Sequence, residues 1–397
     1  MLQITDNAKE QQLLPLFRLG FRPFFLAGAI FSIVSMLLWG LILSGNLALN
    51  SQIPPNLWHA HEMLFGFSGA IILGFLLTAV QNWTGQPGLK GKKLAFLAAL
   101  WLLGRVAMFA FPPSLYWLTI LLELSWMPLA AFVLGRSVIA IKQWRNLFFA
   151  PLLLMMTIMN GLSLYGIKSY DYLLAQHAIW SMLFLVVFII AVMGGRVIPF
   201  FTSKGTGTEK VQPNKYLEYL ALIPILLLAV FTWLPNLSEL SATFAIVAGL
   251  VNLIRVIRWK PMITLPVPLL WSLHLSYLLL SIGLIFYGFA IILPAINSVT
   301  MIHLCAISGI AGIILAMISR VSLGHTGRVL QTSKWMNLAF ISTAISGIAR
   351  LILPYLLPDA LMLGYWVSIL FWCTAFMLFT LLYAKMLLSA RIDERPG

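Results

Sequence analysis

Charge is what this 397-residue sequence has least of: 9% of its residues are Asp, Glu, Lys or Arg, against about 25% in an ordinary soluble domain. Acidic side chains are scarcer still, 11 in all, and cysteine is reduced to Cys305 and Cys373. With 61% of residues hydrophobic, the chain lacks the polar side chains to clothe a water-soluble globule. Both cysteines stand inside apolar runs, which excludes a disulfide framework and a thiolate zinc or iron–sulfur site. Polar linkers are missing too, the longest hydrophilic connection being about 202–215, too short for a separate soluble domain. The first fifteen residues lack the apolar core and small-residue cleavage site of a removable signal peptide.

What the chain has instead is a dozen runs of mostly apolar residues, each long enough to cross about 30 Å of hydrocarbon as a helix. The runs predict an all-α polytopic membrane protein with twelve spans near 24–44, 59–80, 94–111, 115–135, 147–167, 175–198, 216–234, 237–254, 267–290, 299–319, 336–354 and 361–388. Residues 1–23 are then a cytoplasmic amino-terminal segment, 24–388 one transmembrane domain and 389–397 a cytoplasmic tail. Of the 25 basic residues, 22 fall in the two termini and in the connections after the even-numbered spans. That bias places both termini in the cytoplasm. It also accounts for the formal net charge of +14 without a nucleic-acid partner.

The even spans resemble one another. Span two reads HEMLFGFSGAIILGFLLTAVQNWTG from His61 and span ten HLCAISGIAGIILAMISRVSLGHTG from His303, with 24 residues from the histidine to the closing glycine in both. Span six joins through RVIPFFT against RVSLGHT, which sets Thr202 on Thr326 and brings His177 opposite His59. Gly104-Arg105 and Ala349-Arg350 lie 21 and 24 residues beyond their threonines. Units some 120 residues apart predict three related bundles of four helices.

Ionisable residues inside spans are costly and point to function. Here they gather at one expected depth, the outer face: His59, His61 and Glu62 open span two, His177 opens span six, His303 lies one turn into span ten, and Arg105 and Arg350 sit in the outer halves of spans three and eleven. Four imidazoles in an apolar setting suit a haem iron, a copper ion or both. Arginine forks would neutralise haem propionates, for which Arg105 and Arg350 are the candidates. Residues two apart on a helix diverge by about 200°, so His59 and His61 serve different sites unless the Pro54-Pro55 approach leaves the first turn unwound. The repeat divides the four into His61 with His303 and His59 with His177. Each has a plainer reading as well: an interfacial histidine bonded to a carbonyl, a first-turn Glu62 facing the helix dipole, or arginines paired with Glu62 or Glu123.

The strings FRLGFRPFFLAG, WHAHEMLFGFSGAIILGFLLTAVQNWTG, GGRVIPFFT and SRVSLGHTGR, in this order along nearly the whole chain, resemble the NnrS family of bacterial inner-membrane proteins. The resemblance implies a twelve-span protein of the inner membrane carrying haem b and copper, linked to nitric oxide and tolerance of nitrosative stress. The three-by-four plan with histidines on spans two, six and ten is also similar to the catalytic subunit of haem–copper oxidases and nitric oxide reductases. It departs from those enzymes in lacking a paired histidine on span seven, a second histidine beside His303 and a Tyr-linked histidine on span six. By that analogy His61 and His303 would share the haem, and His59 and His177 would take copper with Glu62 nearby. The partners implied are the lipid bilayer, nitric oxide or a similar small gas, and a quinol or protein as electron donor. Two other classes compete: a metal-free transporter, and a haem-based sensor or assembly partner.

Overall fold

The computed structural model describes residues 10–49, 53–393 and 395. Twelve long helices follow one another without a strand among the described residues: α1 Phe21–Leu43, α2 Pro55–Thr84, α3 Lys92–Ala110, α4 Tyr116–Ala140, α5 Phe149–Lys168, α6 Tyr172–Thr206, α7 Lys215–Phe231, α8 Ser238–Arg258, α9 Pro268–Ile292, α10 Ser298–His325, α11 Lys334–Leu356 and α12 Leu361–Leu388. Eleven are long and apolar enough to span a bilayer. The exception, α7, has 17 residues, at the short end of what a span needs. The chain is an all-α polytopic membrane protein, as its composition requires.

The fourfold grouping of helices is written into the backbone. The fourth helix of each group, α4, α8 and α12, is preceded by a proline-led 3₁₀ turn: Pro113–Leu115, Pro235–Leu237 and Pro358–Ala360, spaced 122 and 123 residues apart. Proline suits that place because its fixed φ and missing N–H cost nothing in a first turn. The spans aligned in the sequence, α2, α6 and α10, are also the most enclosed, with 83, 78 and 83% of their most apolar window buried against 39–56% in the other spans.

The closing Thr-Gly pairs are helix stops. Thr84 Oγ1 donates to Val80 O and Thr326 Oγ1 to Ser322 O, each one turn back, and Gly85 and Gly327 follow at φ +65 and +76, a left-handed turn that glycine adopts without a Cβ penalty. In α6 the same stop is Thr206-Gly207, with Thr206 Oγ1 on Thr202 O and Gly207 at φ +70. It lies one turn beyond the Thr202 that the sequence alignment selected. His177 therefore stands 29 residues before its stop, against 25 for His59.

By contacts the chain divides into two compact units, one of residues 1–182, 321–329 and 380–397, the other of 183–320 and 330–379. Three of the four cuts fall inside α6, α10 and α12, so no linker separates the units. In the first unit α2 packs on α1 and α4, α4 on α3 and α5. In the second, α7 to α10 pack in chain order and α11 joins α10.

Candidate metal centre

α2 starts as an ordinary helix. Pro55 stands at its first position and Pro55–His61 is wound α-helix, so His59 and His61 diverge and cannot meet one metal. The His59 ring stacks on Trp39, centroids 4.5 Å apart and nearly parallel. His61 is fully buried: its Nδ1 donates to Glu62 Oε1 at 2.9 Å, and its Nε2 lies 2.8 Å from Asn160 Oδ1 on α5. Glu62 thus orients His61 as well as opening a helical turn.

Immediately after His61 the helix widens into a π turn, Glu62–Ser68, and immediately after His303 into another, Leu304–Ala311. Such turns insert a residue into the ladder, release carbonyls from their normal partners and gather at functional sites. In the first, Ser68 Oγ donates to Met63 O and the Gly66 carbonyl accepts the Trp101 indole N–H at 3.0 Å. In the second, Ser308, which holds the repeat position of Gly66, donates to Thr343 O and Ala344 O of α11. Both turns use that position to fasten the next helix.

Around His61 the polar side chains close on one another. Arg105 Nη1 donates to Glu62 Oε1 at 2.9 Å and Nη2 to Glu123. His61, Glu62, Glu123 and Asn160 are at most 1% exposed, Arg105 3%. A Cβ on Gly66 would come within 2.6 Å of Arg105 Nη1, and one on Gly104 within 2.5 Å of Glu123 Oε1. Those two glycines let the guanidinium and carboxylate in.

His303 and Arg350 have a sparser setting. His303 Nδ1 donates to Val299 O, 2.5 Å away and one turn back, and Nε2 has no hydrogen-bond partner among the described residues. Arg350 lies with its guanidinium carbon 4.5 Å from the Tyr365 ring centroid, while its buried Nη1 makes no hydrogen bond. His303 belongs to the second compact unit and His61 to the first, as does His177, half-buried on α6. Among the described residues no three of His, Cys, Asp and Glu are gathered to hold a metal, so His59, His177 and Glu62 are not assembled as a ready ligand set.

Four residues of a second buried network escaped the sequence reading. Arg255, one of the basic residues in the connections after the even-numbered spans, is 0% exposed and bonded to Glu218, Asn252 and Tyr277. Its helical phase was the available signal, since Ala248, Asn252 and Arg255 share one face of α8. His274 of α9 is a hydrogen-bonded packing residue, its Nε2 2.9 Å from Thr202 Oγ1.

Fold and clusters together define a helical membrane protein of repeated construction, with ionisable side chains fixed inside its spans. Its family follows from the sequence: the model described as NnrS protein matches residues 15–391, and the chain belongs to the NnrS family. No curated protein matches it significantly.

Proposed function

We propose that this protein carries haem b and copper in the outer layer of a bacterial inner membrane, both termini cytoplasmic, and protects against nitric oxide by binding or converting it there. The observation that carries the reading is the way His61 and His303 are held. Nδ1 of each bonds an oxygen, Glu62 Oε1 or the Val299 carbonyl, the orientation from which a histidine ligates through Nε2 once that nitrogen gives up any bond of its own. Metal-binding histidines are oriented in this manner, and the carboxylate behind His61 makes its ring a stronger base. At His61 the Nε2 faces the Asn160 amide, which would turn aside for a metal; at His303 Nε2 is already without a partner. An imidazole Nε2 so presented is the donor type that suits a haem iron.

When bound, haem supplies an iron position for a diatomic ligand and one-electron chemistry. The protein's own groups have separate tasks. Arg105 bonds both Glu62 and Glu123, its single positive charge shared between the two carboxylates in an apolar layer. Arg350, with an unpartnered Nη1, is the guanidinium open to a propionate. The copper ligands of this reading are His59 and His177, which the structure does not gather into a ready ligand set, and a quinol or a protein is its electron donor.

A reduced-minus-oxidised optical spectrum with metal analysis, on detergent-purified wild type, His61→Ala and His303→Ala, tests it. A b-type signal lost in both variants with copper retained supports the assignment; a colourless, metal-free wild type after haem-sufficient expression removes it. Nitric oxide uptake by the reduced protein then separates turnover from stoichiometric binding.

A further inference from the structure

At the end of the second unit expected to face the cytoplasm, the loop after α6 and the adjoining ends of α7 and α8 form a small, half-open cleft. Its floor is the Glu218–Arg255 pair. Arg255 donates from Nε and Nη2 to the two Glu218 oxygens at 3.3 and 2.7 Å, from Nη2 to Ala191 O, and from Nη1 to Asn252 Oδ1 and Tyr277 OH. That accounts for all five of its N–H groups. Its guanidinium also lies 5.2 Å from the Trp259 ring centroid, and a Cβ on Gly195 would collide with it. The floor is rigid and charge-neutral, with no donor left for a ligand.

The mouth differs. Lys210 and Arg258 line it, exposed, and neither forms an ion pair or hydrogen bond among the described residues. Gln212 adds an amide, and Leu217 and Trp259 add apolar wall. Because Arg255 already neutralises Glu218, the cleft presents two uncompensated cations. One turn further along the same helices, Leu220 and Ile223 of α7 and Ile254 and Ile257 of α8 are exposed, as side chains facing lipid are. A cationic cleft continuous with a hydrocarbon-facing surface matches a phosphate group that brings its own acyl chains.

We propose that this cleft binds the phosphate of an anionic phospholipid, with Lys210 and Arg258 as its counter-charges and the acyl chains along α7 and α8. Neither cation belongs to the metal site, so the inference stands apart from the function proposed above. The test is the dissociation constant of phosphatidylglycerol for the delipidated full-length protein in detergent, read by native mass spectrometry, with phosphatidylcholine and inorganic phosphate as the other arms. A cation near a lipid surface contributes about fivefold in affinity. Lys210→Gln with Arg258→Gln should therefore weaken phosphatidylglycerol about 25-fold, and Leu217→Trp, which fills the cleft without altering charge, should weaken it comparably. Arg136→Gln with Lys142→Gln, exposed cations of the first unit, should leave it within about twofold. Equal loss in that control pair, or equal binding of phosphatidylcholine, would overturn the proposal in favour of general surface attraction. Binding of inorganic phosphate with displacement of the lipid would overturn it in favour of a soluble ligand.

Discussion

His61 with Arg105 in the first unit and His303 with Arg350 in the second hold corresponding places in the repeat, each histidine at the mouth of a π turn and each arginine on the helix that follows. Their surroundings are opposite in character. Arg105 meets two carboxylates, and both ring nitrogens of His61 face polar side chains; Arg350 rests on an aromatic ring, and His303 bonds only its own helix. In sequence the difference includes Glu62, Gly66 and Gly104 in one unit against Leu304, Ser308 and Ala349 in the other. It is large in physics, because two buried carboxylates commit an arginine to them, whereas an arginine without a carboxylate can accept one from a ligand.

Four substitutions sharpen or break that contrast. The largest effect belongs to Arg105→Met, which strands Glu62 and Glu123 in an apolar interior; a loss of about 3–5 kcal/mol is expected for breaking a buried ion pair, read as unfolding in detergent by denaturant or heat. Recovery of much of that loss by adding Glu123→Gln would show that the stranded charge is the cause. Next comes Gly104→Ala, which pushes a methyl into the Glu123 carboxylate and should cost about 1–3 kcal/mol in the same assay. Ser308→Ala removes the clasp to α11 but leaves a helix that packs well, so about 0.5–1.5 kcal/mol is expected. Arg350→Met is the smallest, under about 1 kcal/mol, since no carboxylate is stranded. A cost as large as that of Arg105→Met would mean that the second site is closed as the first is, and would withdraw Arg350 as the propionate partner. Under the haem reading the same variant loosens haem retention while Arg105→Met acts through stability.

Much of this was legible in the chain. Helix number, membrane character and the repeat follow from the apolar runs and from anchors such as Thr-Gly, which the structure explains as a back-bonded threonine before a left-handed glycine. Glu62 and Arg105 were visible as costly residues, and their pairing was among the readings open to them. Asn160 was not visible, since an asparagine in an apolar run has many uses and only the packing of α4 against both α2 and α5 sets it beside His61. Nor was the π turn, because an extra residue per turn leaves no mark on hydrophobic periodicity when a helix is buried on nearly every side.

The middle repeat shows the limit most clearly. Matching RVIPFFT to RVSLGHT aligns letters, but the backbone stops one turn later, at Thr206-Gly207. A helix stop depends on which glycine takes positive φ while its threonine back-bonds. By itself the sequence determined a twelve-helix membrane protein, its repeat period and the residues too polar to lie in lipid by accident, because hydrocarbon length and desolvation act on residue type alone. Which of those residues pair was decided only by tertiary structure, because ion pairing and hydrogen bonding depend on distances between helices far apart in the chain.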